Sequence, residues 1–246
     1  MSRALAVRAF RKVTDYDDVM RVMRATHEDV RRAASGFVRG ETRDDADYRS
    51  APPARDALLL CQHAPVITIG RRKVLGASHV RSSVEELRRA GIALRETDRG
   101  GDATYHGPGQ LVAYPVVSLR GAGLGARAYV EGLERFASEA LRGLGIDARG
   151  GYKGREGVWV GDAKIAAVGV KISSGVSSHG VAFNVDPDLR HFEHIIPCGL
   201  EGYEVTSVTN ELGRTVDMVE VETRIVDAFA RTFGYRHVTT SVEDAN

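Results

Sequence analysis

Hydrophobic and polar positions recur at two periods along this chain. Residues 4–10 alternate at period two and predict a strand. Within 15–34, Val19, Val22, Met23 and Val30 fall at helical spacing, with acids early and arginines late as the helix dipole favours, so a helix is predicted. Apolar runs at 57–62 and 66–69 predict two strands joined through Pro65, followed by a short helix at 83–90 and a strand at 92–96. Residues 111–119 predict another strand, in which Pro115 marks an edge or a bulge because it has no N–H to donate. A second amphipathic helix is predicted over 127–144, stopped by Gly143 and Gly145. Residues 158–172 read as a hairpin turning at Gly161-Asp162, and 179–185 as a third consecutive strand. Thr206 is the expected cap of a short helix, and 217–233 the last amphipathic helix. Neighbouring antiparallel strands without regular βαβ alternation predict an α+β fold.

Residues 36–55 are charged and carry Pro52-Pro53, which predicts a flexible insertion or solvated loop. No other composition break divides the 246 residues, so one domain over 1–246 is expected. The formal net charge of +1 lacks the basic excess of a nucleic-acid binder. Arg3, Arg8, Arg11 and Lys12 interrupt the N-terminal segment, and no apolar run is long enough to cross a bilayer. A soluble, cytoplasmic protein that binds neither nucleic acid nor membrane is expected. Cys61 and Cys198 are the two cysteines, too few for a disulfide framework.

The densest chemistry lies in the run Arg99-Gly100-Gly101-Asp102-Ala103-Thr104-Tyr105-His106-Gly107-Pro108-Gly109-Gln110. Gly and Pro exclude a helix there, and polar side chains set between glycines suit a binding loop better than a surface turn. Cys61 follows three leucines and reads as an inert buried thiol. Cys198 stands between Pro197 and Gly199, where regular structure cannot continue; an accessible nucleophile and an incidental thiol both fit that position. A free thiol titrates near ~8.5, so nucleophilic work at neutral pH needs a nearby cation or base. Lys164 is the candidate helper. In a strand over 163–172 it shares parity with Ala166, Val168, Val170 and Ile172, the more apolar set, and is expected to face a core or cleft. The alternative is a lysine snorkelling at the hairpin end.

Other patterns carry less. His191, His194 and Cys198 are metal-ligand types without a fourth partner, and no metal site is expected. Gly121-x-Gly123-x-x-Ala126 fits a loose dinucleotide fingerprint but reads more simply as the turn into the helix from 127. Arg71-Arg72-Lys73 with Arg88-Arg89 reads as a solvated face, or else as a dock for an acidic protein.

Together, RGGDATYHGPGQ at 99–110, the segment from Lys164 to Gly169, the segment from His179 to Val185 and Pro197-Cys198-Gly199 resemble the lipoyl(octanoyl) transferases. The resemblance runs from about residue 57 to 212; the insertion at 36–55 departs from it. It implies the catalytic-domain fold of the biotin/lipoate protein ligases, with mixed, mostly antiparallel sheets flanked by helices. It also implies transfer of an octanoyl group from acyl carrier protein to a lysine of lipoyl domains in 2-oxoacid dehydrogenase complexes and of the glycine cleavage H protein. Cys198 would carry the acyl thioester and Lys164 would lower its pKa. Arg99, Gly100, Gly101, Asp102, Ala103, Thr104, Tyr105, His106, Ala167, Val168, Gly169, Gly180, Val181 and Ala182 would line the substrate pocket. No cofactor is implied, since the acyl group arrives on the phosphopantetheine arm of the carrier. A monomer is expected.

Overall fold

In chain order the elements are β1 (Arg3–Thr14), α1 (Tyr16–Gly36), β2 (Asp56–His63), β3 (Val66–Ile69), α2 (Val84–Arg89), β4 (Ala93–Glu96), β5 (Ala103–His106), β6 (Gln110–Val116) and α3 (Ala126–Arg142). There follow β7 (Arg149–Tyr152), β8 (Arg155–Val160), β9 (Ala163–Ser173), β10 (Val176–Asn184), a 3-10 helix (Leu189–His194), β11 (Glu204–Val205), α4 (Val208–Leu212), α5 (Met218–Phe233) and β12 (Tyr235–Glu243). This computed structural model describes residues 3–36, 55–71, 79–152, 155–196 and 204–243. Of the 36–55 insertion, residues 37–54 lie outside the described residues, as do Arg72, Lys73 and Cys198.

The apolar run of β2 organises the architecture. Leu58 and Leu60 face one core, whereas Ala57, Leu59 and Cys61 face another, so the strand is covered on both sides. Its sheet runs β12-β1-β2-β6-β10-β9-β8-β7, with β11 added beside β9. β1 is parallel to both β12 and β2, and β11 to β9; the remaining neighbours in this sheet are antiparallel. The expected mixed α+β fold is therefore present. α3 and α5 cover one face, their contact built on Phe136 against Phe229 at 5.3 Å and Tyr129 against Phe233 at 5.7 Å. α1 covers the other face through Tyr16, Val19, Met20, Met23 and Val30. A second sheet, β4-β3-β5, packs Ile67, Leu87, Ala103 and Tyr105 against Phe192 of the 3-10 helix.

Three expectations change. Pro115 lies in the sheet interior, not at an edge: β6 pairs with β2 through it, and the β10 ladder stops at Ala113, where the missing N–H is harmless. Ser177 bridges the gap, its hydroxyl donating to the Pro115 carbonyl at 2.9 Å and accepting from Val117 N–H. The short helix at 208 is capped by Ser207, which accepts from Asn210 N–H, because Thr206 N–H is still committed to the Lys164 carbonyl at 3.0 Å. Finally, β5, β7, β11 and β12 were not foreseen: β5, β7 and β11 are too short to carry a period, and β12, nine residues long, is exposed along most of its length and shows no apolar alternation. Among the described residues no helix is long and apolar enough to cross a membrane.

Candidate active site

A groove opens where β5 and the turn before it meet the middle of the β6, β10 and β9 strands. It is lined by Arg99, residues 101–104, His106, residues 167–169 and residues 180–182, so the three separate sequence segments converge. Gly100 and Tyr105 are the exceptions. Gly100 ties the turn to the sheet by donating its N–H to the Val170 carbonyl at 2.8 Å. Tyr105 points into the small-sheet core against Phe192, and its hydroxyl lies 2.7 Å from His191 Nδ1. The groove also takes in Tyr16, Val112, Tyr114 and His179, which the sequence reading missed. Val112 and Tyr114 share a face of β6 and His179 adjoins Gly180, so period two could have flagged them. Nothing in the sequence connects Tyr16 to the site.

Close backbone approach explains the small residues. A Cβ at Gly180 would lie 2.2 Å from the Ala113 carbonyl oxygen, so this glycine lets β10 and β6 touch rather than clearing space for a ligand. At Gly169 a Cβ would crowd the Gly100 carbonyl at 3.0 Å and Arg99 Cδ at 3.3 Å. Arg99 lies buried across that spot, donating to the carbonyl and hydroxyl of Thr68 at 2.8 Å each and to the Gly100 carbonyl at 3.0 Å. Asp102 accepts from Ala103 N–H and pairs with His79 Nδ1, so its carboxylate is engaged within the fold.

Besides Arg99 and Asp102, both bonded within the fold, the walls carry uncharged rings. Burial, reinforced by His63, pushes the His106 imidazole well below its ordinary range. Burial also lowers His179, against the opposing pull of Asp98, and raises the Tyr16 phenol to about 12. Neutral His106 donates from Nδ1 to Gln110 Oε1 at 2.6 Å. Gln110 Nε2 donates to Asn184 Oδ1 at 3.0 Å, Asn184 Nδ2 to the Thr206 carbonyl at 3.0 Å, and Thr206 N–H to the Lys164 carbonyl. Hydrogen bonds thus link His106 to the Thr206 backbone, whose N–H holds the main-chain carbonyl of Lys164.

Lys164 is buried, and its Nζ sits 4.7 Å from the Trp159 ring centroid, while Arg155 Cζ lies 4.4 Å from the same ring. The face Lys164 occupies is not the one parity predicts. Val158 pairs with Ala166 but Trp159 pairs with Lys164, so Ile165 is an extra residue in β9. Val158, Ile165 and Ala166 all enter the core under α3 and α5, and the bulge turns Lys164 to the opposite face, shared with Ala167 and Gly169. Cys198 lies outside the described residues. Its described flanks are Ile196, whose N–H donates to the His79 carbonyl at 2.7 Å, and Glu204, from which β11 sets Val205 beside Lys164.

The remaining candidates have structural occupations. Cys61 is fully buried and burial pushes its thiol upward, so it is inert. His194 Nδ1 lies 2.8 Å from Ser82 Oγ, and among the described residues no group of three or more His, Cys, Asp or Glu could hold a metal ion. Gly121 and Gly123 belong to the turn into α3, capped at Gly125. Arg88 and Arg89 are exposed and lie 3.9 and 3.6 Å from Glu85.

Residues 44–230 match the family described as the lipoyl protein ligase A/B catalytic domain. The chain is 47% identical over 191 residues to the mitochondrial octanoyltransferase LIP2 of Arabidopsis thaliana, covering 77% of this chain and 80% of that protein. It is 44% identical over 196 residues to an octanoyltransferase of Chloroflexus aggregans, covering 78% and 87%. Among solved structures, lipoate-protein ligase A bound with ATP superposes with a TM-score of 0.67 at 18% identity, over 98% of this chain and 89% of that one. The bipartite lipoate protein ligase of Thermoplasma acidophilum, described with its E2 lipoyl domain, superposes at 0.64 with 19% identity, over 98% and 87%. These two show the fold.

Proposed function

Because this chain belongs to the lipoyl protein ligase A/B catalytic domain family, an acyltransferase branch of which supplies its curated relatives, we propose that it moves an octanoyl group from acyl carrier protein to a lysine of lipoyl-accepting domains through a thioester on Cys198. The acceptors in this reading are the lipoyl domains of 2-oxoacid dehydrogenase complexes and the glycine cleavage H protein. The observation that carries it lies on β9: residues 167–169 line the groove, and Lys164, on the same face, is held buried beside Trp159.

A carrier thioester is already activated, so the reaction draws on neither ATP nor metal. The Lys164 ammonium favours the thiolate of Cys198. That thiolate attacks the octanoyl carbonyl, the bond from carbon to the phosphopantetheine sulfur breaks, and the departing thiolate takes the proton of the Lys164 ammonium, leaving that amine neutral. The neutral amine of the acceptor lysine then attacks the enzyme thioester. The C–N bond forms, the C–S bond to Cys198 breaks, and Lys164 or a bound water accepts the amine proton. An amide is more stable than a thioester, which drives the transfer forward. The small and apolar groove residues Ala103, Val112, Ala167, Val168, Val181 and Ala182 suit the acyl tail, each buried methylene contributing about 0.8 kcal/mol. In this reading the protein works as a monomer, and a cytoplasmic location fits its bacterial relatives.

Intact mass spectrometry after incubation with octanoyl-acyl carrier protein tests the reading. One octanoyl adduct is expected without ATP, absent in Cys198→Ala, and it should chase onto an added lipoyl domain. Near-normal transfer by Cys198→Ala would overturn the thioester. Release of free octanoate in place of acylated domain indicates a thioesterase, and a requirement for ATP indicates a ligase.

A further inference from the structure

Glu134 is a buried acid that the mechanism above does not use. It lies on α3 beside the core positions Leu133, Phe136 and Ala137. Its carboxylate is engaged by the β7–β8 hairpin: Oε1 accepts from Gly157 N–H at 3.1 Å, and Gly151 N–H bonds the same group. Register explains the two donors. Gly150 pairs with Val158 and Tyr152 with Arg155, so Gly151 alone faces Glu156 and Gly157, a bulge that disrupts the ladder there. Glycine allows the close approach, since a Cβ at Gly150 would stand 2.7 Å from Glu134 Cβ. Burial pushes the carboxyl above its ordinary range, and the two N–H groups pull it back.

Gly157 also meets Lys164. Its φ is +107, and a Cβ there would lie 2.6 Å from the Ala166 carbonyl oxygen and 3.5 Å from Lys164 Cε. The end of the Lys164 side chain is therefore bordered by the Gly157 backbone as well as by the Trp159 ring. On the β9 side of the same stretch, Ile165 interrupts the pairing between Val158–Ala166 and Trp159–Lys164. Two disrupted ladders thus meet at residues 157–159, where a regular sheet would restrain the backbone more firmly. We infer that Glu134 is a positioning residue for Lys164: by holding Gly157 from the α3 side, it fixes the strand against which the lysine side chain rests. The inference rests on the transferase reading, in which Lys164 promotes the Cys198 thiolate. Glu134 is not among the groove residues, so it acts through Gly157.

The test measures alkylation of Cys198 by iodoacetamide at neutral pH, read by intact mass, because thiolate reactivity is then seen without donor or acceptor. Wild type, Glu134→Ala and Glu134→Gln are compared, each with Lys164 and with Lys164→Met, which removes the charge but keeps a long side chain. Glu134→Ala should slow alkylation about tenfold with Lys164 present and less than about twofold with Lys164→Met, since the two residues act as one unit. Glu134→Gln keeps one acceptor for Gly157 N–H and serves where Glu134→Ala does not fold. Its loss should be about threefold, again only with Lys164 present. Equal losses in both backgrounds would mean a general packing role and overturn the proposal, as would an unchanged rate in the variant used. If Lys164→Met alone leaves alkylation unchanged, or wild type forms no octanoyl adduct from the carrier, the transferase reading itself fails and the role of Glu134 falls with it.

Discussion

Trp159 holds two cations at once, with Lys164 Nζ at 4.7 Å and Arg155 Cζ at 4.4 Å from its ring. The ring thereby fixes where the Lys164 side chain ends. Trp159→Leu should therefore slow acylation of Cys198 about tenfold, the equivalent of roughly 1.4 kcal/mol of lost cation–π contact. Trp159→Tyr, which keeps an aromatic face for Lys164, should restore most of the rate. A loss as large in Trp159→Tyr as in Trp159→Leu would mean that the ring is merely packing. Lys164 was recognisable from its neighbours as a candidate, but its face was not. The extra residue Ile165 reverses the alternation there, and a bulge leaves no mark in a run of small and branched apolar residues.

Long helices and strands with one face in a core were legible; β12, nine residues long but mostly exposed, was not. α3 follows that rule: Tyr129, Leu133, Phe136, Ala137, Ala140 and Leu141 are all buried. Phe136 touches both Phe183 of β10, at 5.8 Å, and Phe229 of α5, so it joins helix layer to sheet. Phe136→Ala should lower the unfolding free energy by about 3–5 kcal/mol in urea titrations, the usual cost of emptying an aromatic site in a core. A loss below ~1 kcal/mol would show that the layer collapses around the gap. Short elements behaved differently. β5 takes its strand conformation from pairing with β3, not from its own glycine-flanked sequence, and β11 exists because β9 offers it an edge at residues 163–164.

At the scale of the whole molecule, acid stability is set by histidines buried where the α1 layer, the large sheet and β5 meet. His63 is fully buried, with Nε2 2.8 Å from the Tyr114 hydroxyl, and burial lowers it to about 4 against a Thr14 backbone contact that raises it. His106 is lowered too, chiefly by burial. A group depressed in the folded state stabilises fully above its ordinary value, near 6.5, and loses that contribution as pH falls toward its folded value. Unfolding free energy should thus fall between pH 6.5 and about pH 4, by about 3 kcal/mol from His63 alone. His63→Asn should flatten that slope. Equal slopes in variant and wild type would remove His63 from the account.

By itself the sequence determined the longer core-facing elements and the identity of the chemical segments, because each depends on local periodicity or on residue types at short spacing. It also marked Cys198 and Lys164 as the reacting pair of the resemblance. Only the tertiary structure decided which residues share the groove. Gly100 and Tyr105 leave it for backbone and core roles, while Tyr16 joins it from a helix distant in the chain. It also decided that Lys164 faces the groove side, and that Gln110, Asn184 and Thr206 connect His106 to its main-chain carbonyl. These follow from strand register and from which surfaces pack together, and register is a property of pairs of strands that no single segment carries.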